Sequence, residues 1–177
     1  MRVVIVGCGR VGSVVAGTLD QAGHQVVVVD TSTNAFDRLP PGFQGTAVRA
    51  DGTDEDSLRR AGADGADVFL ALTEGDNRNV MAAQLALEAL GVQRVVAKVN
   101  DPVRAEAYAD LGIATICRTD LMAHALLGFI GLHTGEPPSV RAGATHPHLS
   151  SAAGAPAGVA AGGSSSTVVG SGPTQEA

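Results

Sequence analysis

Large aromatic side chains are scarce in this sequence, with no tryptophan, one tyrosine and four phenylalanines among 177 residues. A core must therefore be filled by Val, Ala and Leu from the 45% of residues that are apolar. That suits a buried parallel sheet better than a sandwich built on large rings. Basic residues are also few. Twelve Lys and Arg against eighteen Asp and Glu leave a formal charge of −6, and cations so scattered make no face for non-specific nucleic-acid binding. Cysteine occurs only at Cys8 and Cys117, without a CxxC or metal-ligand spacing. Both read as small buried hydrophobes in a reducing compartment, and no metal site is expected. No apolar run approaches the ~18 residues of a membrane helix, and Met1-Arg2 leads straight into Val3-Val4-Ile5-Val6 without a signal-peptide pattern. A soluble, cytoplasmic chain is the expectation.

What is present is alternation. Apolar, β-branched runs predict strands at Val3–Val6, Gln25–Asp30, Ala47–Arg49, Val68–Leu72, Arg94–Val99 and Ala114–Cys117. Between them, periodic stretches predict helices over Arg10–Ala22, Asp54–Arg60 (with Thr53 as cap), Asp76–Leu90, Pro102–Asp110 and Asp120–Leu132. The first helix is expected to turn Val11, Val14, Val15 and Leu19 to one face. The fold class is α/β, a Rossmann-like doubly wound parallel six-stranded sheet followed by a crossover-like helix. Past Glu136 the composition changes: from Pro137 to Ala177 the only charged residues are Arg141 and Glu176, amid Gly, Ala, Ser, Thr and Pro. The expected organisation is a nucleotide-binding domain over 1–136 and a low-complexity flexible tail over 137–177.

The strongest chemical signal is Gly7-Cys8-Gly9-Arg10-Val11-Gly12, lying between a predicted strand and a predicted helix. In such a unit Gly7 permits the tight turn, Gly9 lets backbone approach a phosphate, and Gly12 lets helix and strand pack closely. The helix N-terminus then faces the anion. Asp30 follows Gly12 by 18 residues at a strand end, where a carboxylate accepts bonds from ribose hydroxyls and repels a 2′-phosphate. It does not separate NAD from ATP, ADP or AMP. Arg10, inside the loop, reads either as a bidentate phosphate clamp or as a solvated arginine.

Asp51, in Ala50-Asp51-Gly52-Thr53, reads either as an acceptor for the adenine amino group or as an Asx turn capping the next helix. The carboxylates Asp51, Asp54, Glu55 and Asp56 suit a solvated helix start. Leu72-Thr73-Glu74-Gly75-Asp76-Asn77 ends the fourth strand and is placed to line the ribose and phosphate site. Lys98 and Asn100 end the fifth, with Lys98 as a point charge for phosphate. None of the five histidines has a carboxylate at mechanistic spacing, so no catalytic set emerges.

Val6-Gly7-Cys8-Gly9-Arg10-Val11-Gly12, Val28-Val29-Asp30, Ala50-Asp51-Gly52-Thr53 and Leu72-Thr73-Glu74-Gly75-Asp76-Asn77, extended by Val96-Ala97-Lys98-Val99-Asn100, together resemble the RCK (KTN) N-terminal domain of Trk/Ktr potassium-uptake regulatory subunits. The likeness covers about residues 1–132. It implies a non-catalytic, cytoplasmic, regulatory subunit, peripheral at the inner face of the plasma membrane, that binds NAD(H) or ATP/ADP and gates a membrane potassium transporter as a homo-oligomer, a dimer or ring. By position it implies a ligand shell of Gly7, Gly9, Arg10, Val11, Gly12, Asp30, Thr31, Asp51, Gly52, Thr53, Thr73, Asn77 and Lys98.

This sequence departs from the family at two places. A low-complexity stretch stands where a second lobe is usual. Arg118-Thr119 stands where the family often has Pro-Glu before its crossover helix, so no metal site carries over. Two other readings remain: a small NAD-dependent oxidoreductase or its detached cofactor domain, and a nucleotide-sensing module without a membrane partner. The final helix, with Leu121, Met122, Ala125, Leu126, Phe129, Ile130 and Leu132, is expected to pair with a second copy, the alternative being that it completes the sheet's own cover.

Overall fold

Valine-rich segments need both faces covered, and the chain answers with one all-parallel sheet. Its strands are β1 (Arg2–Val6), β2 (Gln25–Asp30), β3 (Thr46–Arg49), β4 (Val68–Ala71), β5 (Val95–Val99) and β6 (Thr115–Cys117), in the order β3-β2-β1-β4-β5-β6. The computed structural model describes residues 1–132 together with 135, 140 and 141, all within the compact unit Met1–His146. Most of the expected tail, with His133, His146 and His148, lies outside the described residues. Within that stretch, the Arg141 backbone exchanges bonds of 3.0 and 2.8 Å with Thr115. Its guanidinium lies 3.6 Å from Asp120.

Strand order reverses direction at β1 and β4, the doubly wound arrangement in which loops at the carboxyl edge diverge and leave a crevice. Val4, Val6, Phe69, Ala71, Ala97 and Val99 pack on one side beneath α2 (Glu55–Arg60), α3 (Asp76–Glu88) and α4 (Pro102–Asp110). On the other side Val3, Ile5, Val26 and Val28 meet α1 (Arg10–Gln21) and a 3-10 turn at Thr33–Arg38. That turn falls in a stretch where no periodicity announced an element. Small side chains fill the space: Ala82, Ala83 and Ala86 of α3 are buried, and Phe69 is the largest fully buried residue. Cys8 and Cys117 are buried and free, as expected.

Two local expectations are corrected. The fully buried face of α1 is Gly12, Ser13, Ala16 and Gly17; of the expected apolar face, Val15 and Leu19 pack partly buried against the core, whereas Val11 and Val14 are 50% and 68% exposed. The helix lies too close to its surroundings for valine. A Cβ on Gly12 would overlap the Gly7 carbonyl oxygen, and one on Gly17 would stand 2.7 Å from Pro40 Cγ. The cap of α2 is Asp54, which accepts from Ser57 N at 3.0 Å, and not Thr53. Its carboxylate suits that end of the helix electrostatically.

The final helix, α5 (Arg118–Phe129), buries none of its residues. Among the described residues no helix is long and apolar enough to cross a membrane.

Enlarging Ala16 to Leu should therefore cost roughly 1–3 kcal/mol through overpacking, whereas Val14→Ser should stay within about 0.5 kcal/mol. Urea denaturation of both variants checks this, and the opposite order would restore the valine face to the core.

Candidate functional site

Because parallel strands all point the same way, the loops leaving β1, β2, β3 and β4 meet at one sheet edge. There they enclose a cavity of about 320 Å³, at the small end of the range for ligand sites. Gly7, at φ +105°, turns the chain out of β1, and its amide donates to Val29 O at 2.7 Å. A Cβ here would press within 2.9 Å of the Leu72 and Thr73 backbone. The first loop thus lies directly on the loop after β4, and only glycine fits between them.

Gly9 is different. Its φ of −80° and ψ of −170° suit any residue, and a Cβ built on it would meet nothing within 4 Å. No neighbour in the fold requires glycine there. The open space in front of it belongs to the cavity, at the amino end of α1.

Asp30 ends β2 and holds the glycine loop in place. One carboxylate oxygen accepts from Cys8 N at 2.7 Å and the other from Ser32 N at 2.9 Å. Each oxygen keeps a lone pair for a further donor. Burial first, then the Asp30 charge, pushes the Cys8 thiol up, with Arg38 acting against them, so this cysteine stays a neutral thiol. Of the two readings of Asp51, the Asx turn is made: one oxygen accepts from both Thr53 N (2.9 Å) and Thr53 Oγ1 (2.8 Å). Those bonds, backbone first, hold its carboxyl below the usual range, with a smaller contribution from Arg78.

Of the expected ligand shell, Gly7, Gly9, Arg10, Asp30, Thr31, Asp51, Gly52 and Thr73 line the cavity, whereas Val11, Gly12, Thr53, Asn77 and Lys98 do not. Gly12 works from beneath by letting α1 settle on the loop. Thr53 works through Asp51. Val11 is exposed, and Asn77 accepts from Arg104 at 3.2 Å on the surface. Lys98 is buried away from the cavity, with its ammonium pushed down by burial and partly restored by Glu74.

Three functional residues lay beyond the sequence reading. Asn79, fully buried, accepts from Thr73 N and Thr73 Oγ1 and donates to Thr73 O and Lys98 O at 2.7–3.0 Å. It locks the loop after β4 onto β5. Its available signal was a polar side chain beside the apolar stripe of Val80, Ala83 and Ala86. Arg38, from the 3-10 turn, and Arg78, from the first turn of α3, also line the cavity, and charge alone announced them. Among the described residues no cluster of three or more metal-ligating side chains occurs.

A family model described as the TrkA-N domain matches residues 3–119. The Trk system potassium uptake protein TrkA of Streptomyces coelicolor is 46% identical over 127 residues, covering 72% of this chain and 57% of that protein. The chain spans about half the length of the curated relatives it matches. Among solved structures, the TrkA-N domain of the inner membrane protein ybaL from Escherichia coli superposes with a TM-score of 0.65 at 18% identity, covering 73% of this chain and 96% of that one. The AMP-bound Kef CTD of Shewanella denitrificans gives 0.62 at 24% identity, covering 77% and 84%. Both share the fold.

Replacing Asn79 by Ala strands the Thr73 amide and the Lys98 carbonyl in the interior. The expected cost is roughly 2–4 kcal/mol of stability, read from urea denaturation. A loss below about 1 kcal/mol would mean that water replaces the side chain at no great cost.

Proposed function

Because this chain belongs to the TrkA-N domain family, we propose that it is the nucleotide-binding part of a potassium-uptake regulatory subunit, binding NAD(H) or ATP/ADP and thereby gating a membrane potassium transporter. The observation that carries the nucleotide reading is Gly9. Its backbone needs no glycine, its side-chain position is empty, and it lines a cavity at a helix N-terminus. A phosphate against the loop backbone is the physical reason for leaving that space open. Asp30 then takes the ribose hydroxyls through its spare lone pairs, and Arg10 the phosphates through its guanidinium. The role is regulatory and not catalytic, a reading supported by the names of the curated relatives. The place of action is the inner face of the plasma membrane, against the transporter. The boundary near residue 136, with a flexible tail beyond it that touches the fold through the bridge of Arg141 to Thr115, belongs to the same proposal.

Assembly as a homo-oligomer follows from α5. Met122, Leu126 and Ile130 are exposed, and Phe129 is 90% exposed. Water contact over so continuous an apolar face is unfavourable, and a second copy related by a two-fold axis offers the same face in return. An interface of ~800 Å² per subunit is enough for a stable dimer.

Calorimetric titration of NAD, NADH, ATP and ADP into the chain tests the first part. Wild type should bind at least one of them. Gly9→Ala should bind about tenfold or more weakly, since its Cβ fills the phosphate space, while stability stays within about 1 kcal/mol because the backbone tolerates alanine. Equal affinities in the two proteins would remove the phosphate assignment.

Light scattering tests the second part. At micromolar concentration a dimer or larger is expected, and Leu126→Glu with Phe129→Glu should give a folded monomer. Wild-type protein that stays monomeric would assign the α5 face to some other partner.

A further inference from the structure

Arg78 stands at the third position of α3, a helix that starts after β4, yet its charge acts on Asp51, in the loop after β3. It helps to hold that carboxyl below the usual carboxylate range. The path of the β3 loop explains this reach. Ala50 N donates to Asp30 O at 3.0 Å, so the loop starts beside Asp30. Two residues on, Gly52 lies against Val6 of β1, where a Cβ would overlap the valine side chain. Asp51 is between these points, on the side of the sheet that carries α2 and α3 and not on the α1 side. Arg78 is exposed and lines the same cavity. Its guanidinium makes no hydrogen bond and no ion pair within 4 Å among the described residues.

A nucleotide laid in this cavity is directed by its own covalent order. The ribose carries the phosphate on one side and the base on the other. With the phosphate at the amino end of α1 and the ribose at Asp30, the base continues past Asp30 toward the β3 loop, since β3 flanks β2 on the side away from β1. Asp51 and Arg78 meet it there. A carboxylate and a guanidinium together leave no excess charge at this end, so a further phosphate gains nothing from it. A flat, neutral ring does gain. A guanidinium is planar and weakly hydrated, and it stacks on aromatic faces, nucleic-acid bases included.

Resting on the nucleotide reading above, we propose that Arg78 is a specificity-determining residue that lays its guanidinium on the face of the nucleotide base and so makes this site favour purines over pyrimidines. Two fused rings offer the guanidinium a larger face than one ring does. The contribution is the same for AMP, ATP and NAD, because all three carry the same base, and it does not grow with the number of phosphates.

The test is calorimetric titration of AMP, ATP, NAD and UTP into the wild-type chain, Arg78→Gln and Arg78→Lys. The position is exposed and makes no hydrogen bond, so both variants should keep the wild-type midpoint in urea. Wild type should bind ATP more tightly than UTP. Arg78→Gln should weaken AMP, ATP and NAD by one common factor of about fivefold or more, and UTP by about twofold or less. Arg78→Lys keeps the charge without the plane, and it should lose as much as Arg78→Gln. A loss for ATP well above that for AMP would make Arg78 a phosphate ligand, and recovery by lysine would make it a charge partner of Asp51. Either result, no loss at all, or UTP bound as tightly as ATP would overturn the stacking assignment while leaving nucleotide binding in place. A wild-type chain that binds none of the four would overturn the nucleotide reading itself and this assignment with it.

Discussion

The contact on which the rest of this structure depends is between Gly12 and the Gly7 carbonyl oxygen. With no Cβ at position 12, α1 sits directly on the loop that feeds it. That closeness fixes several things at once. It keeps the amino end of α1 at the carboxyl edge of β1, where the helix dipole favours an anion. It also demands small residues along the near side of the helix, so Ser13, Ala16 and Gly17 are buried while Val11 and Val14 are turned outward. An amphipathic reading holds for Val15 and Leu19, partly buried against the core, and fails for Val11 and Val14, because distance, and not hydrophobicity, selects the innermost face.

Loops at the carboxyl edge have few backbone partners of their own, and three polar side chains supply them. Asp30 ties the glycine loop to the segment after β2. Asn79 ties the loop after β4 to β5. Asp76 accepts from the Asn100 amide, the Asn100 side chain and the Asp101 amide, joining α3 to the entrance of α4. Each satisfies backbone donors that would otherwise face a half-buried crevice unpaired. The crevice is thereby preorganised, and a ligand meets walls already held in position.

Charge is distributed by the same logic. Carboxylates at the edge are spent inside the fold as caps and turns: Asp51 on Thr53, Asp54 on Ser57, Asp101 on Val103. Guanidinium groups lining the cavity have no such employment. An acidic protein with a formal charge of −6 thus lines one concave site with three guanidinium groups, Arg10, Arg38 and Arg78, against the three carboxylates of Asp30, Asp51 and Glu74.

The amino-acid sequence by itself determined the order of strands and helices, the doubly wound parallel sheet, the glycine loop and the carboxylate at the end of β2. These rest on local signals: β-branched runs, helix periodicity, and glycines at fixed spacing next to a strand. It also identified eight residues that line the cavity. Only the tertiary structure decided that Arg38 and Arg78 join them and that Lys98 does not. It alone separated Asn79, which locks the site, from Asn77, two positions away on the surface. Its packing also set which face of α1 is inner and left α5 uncovered. These outcomes depend on which surfaces are close in space, and residues such as Gly17 and Pro40, or Arg78 and Asp51, carry no trace of that proximity in their sequence neighbours.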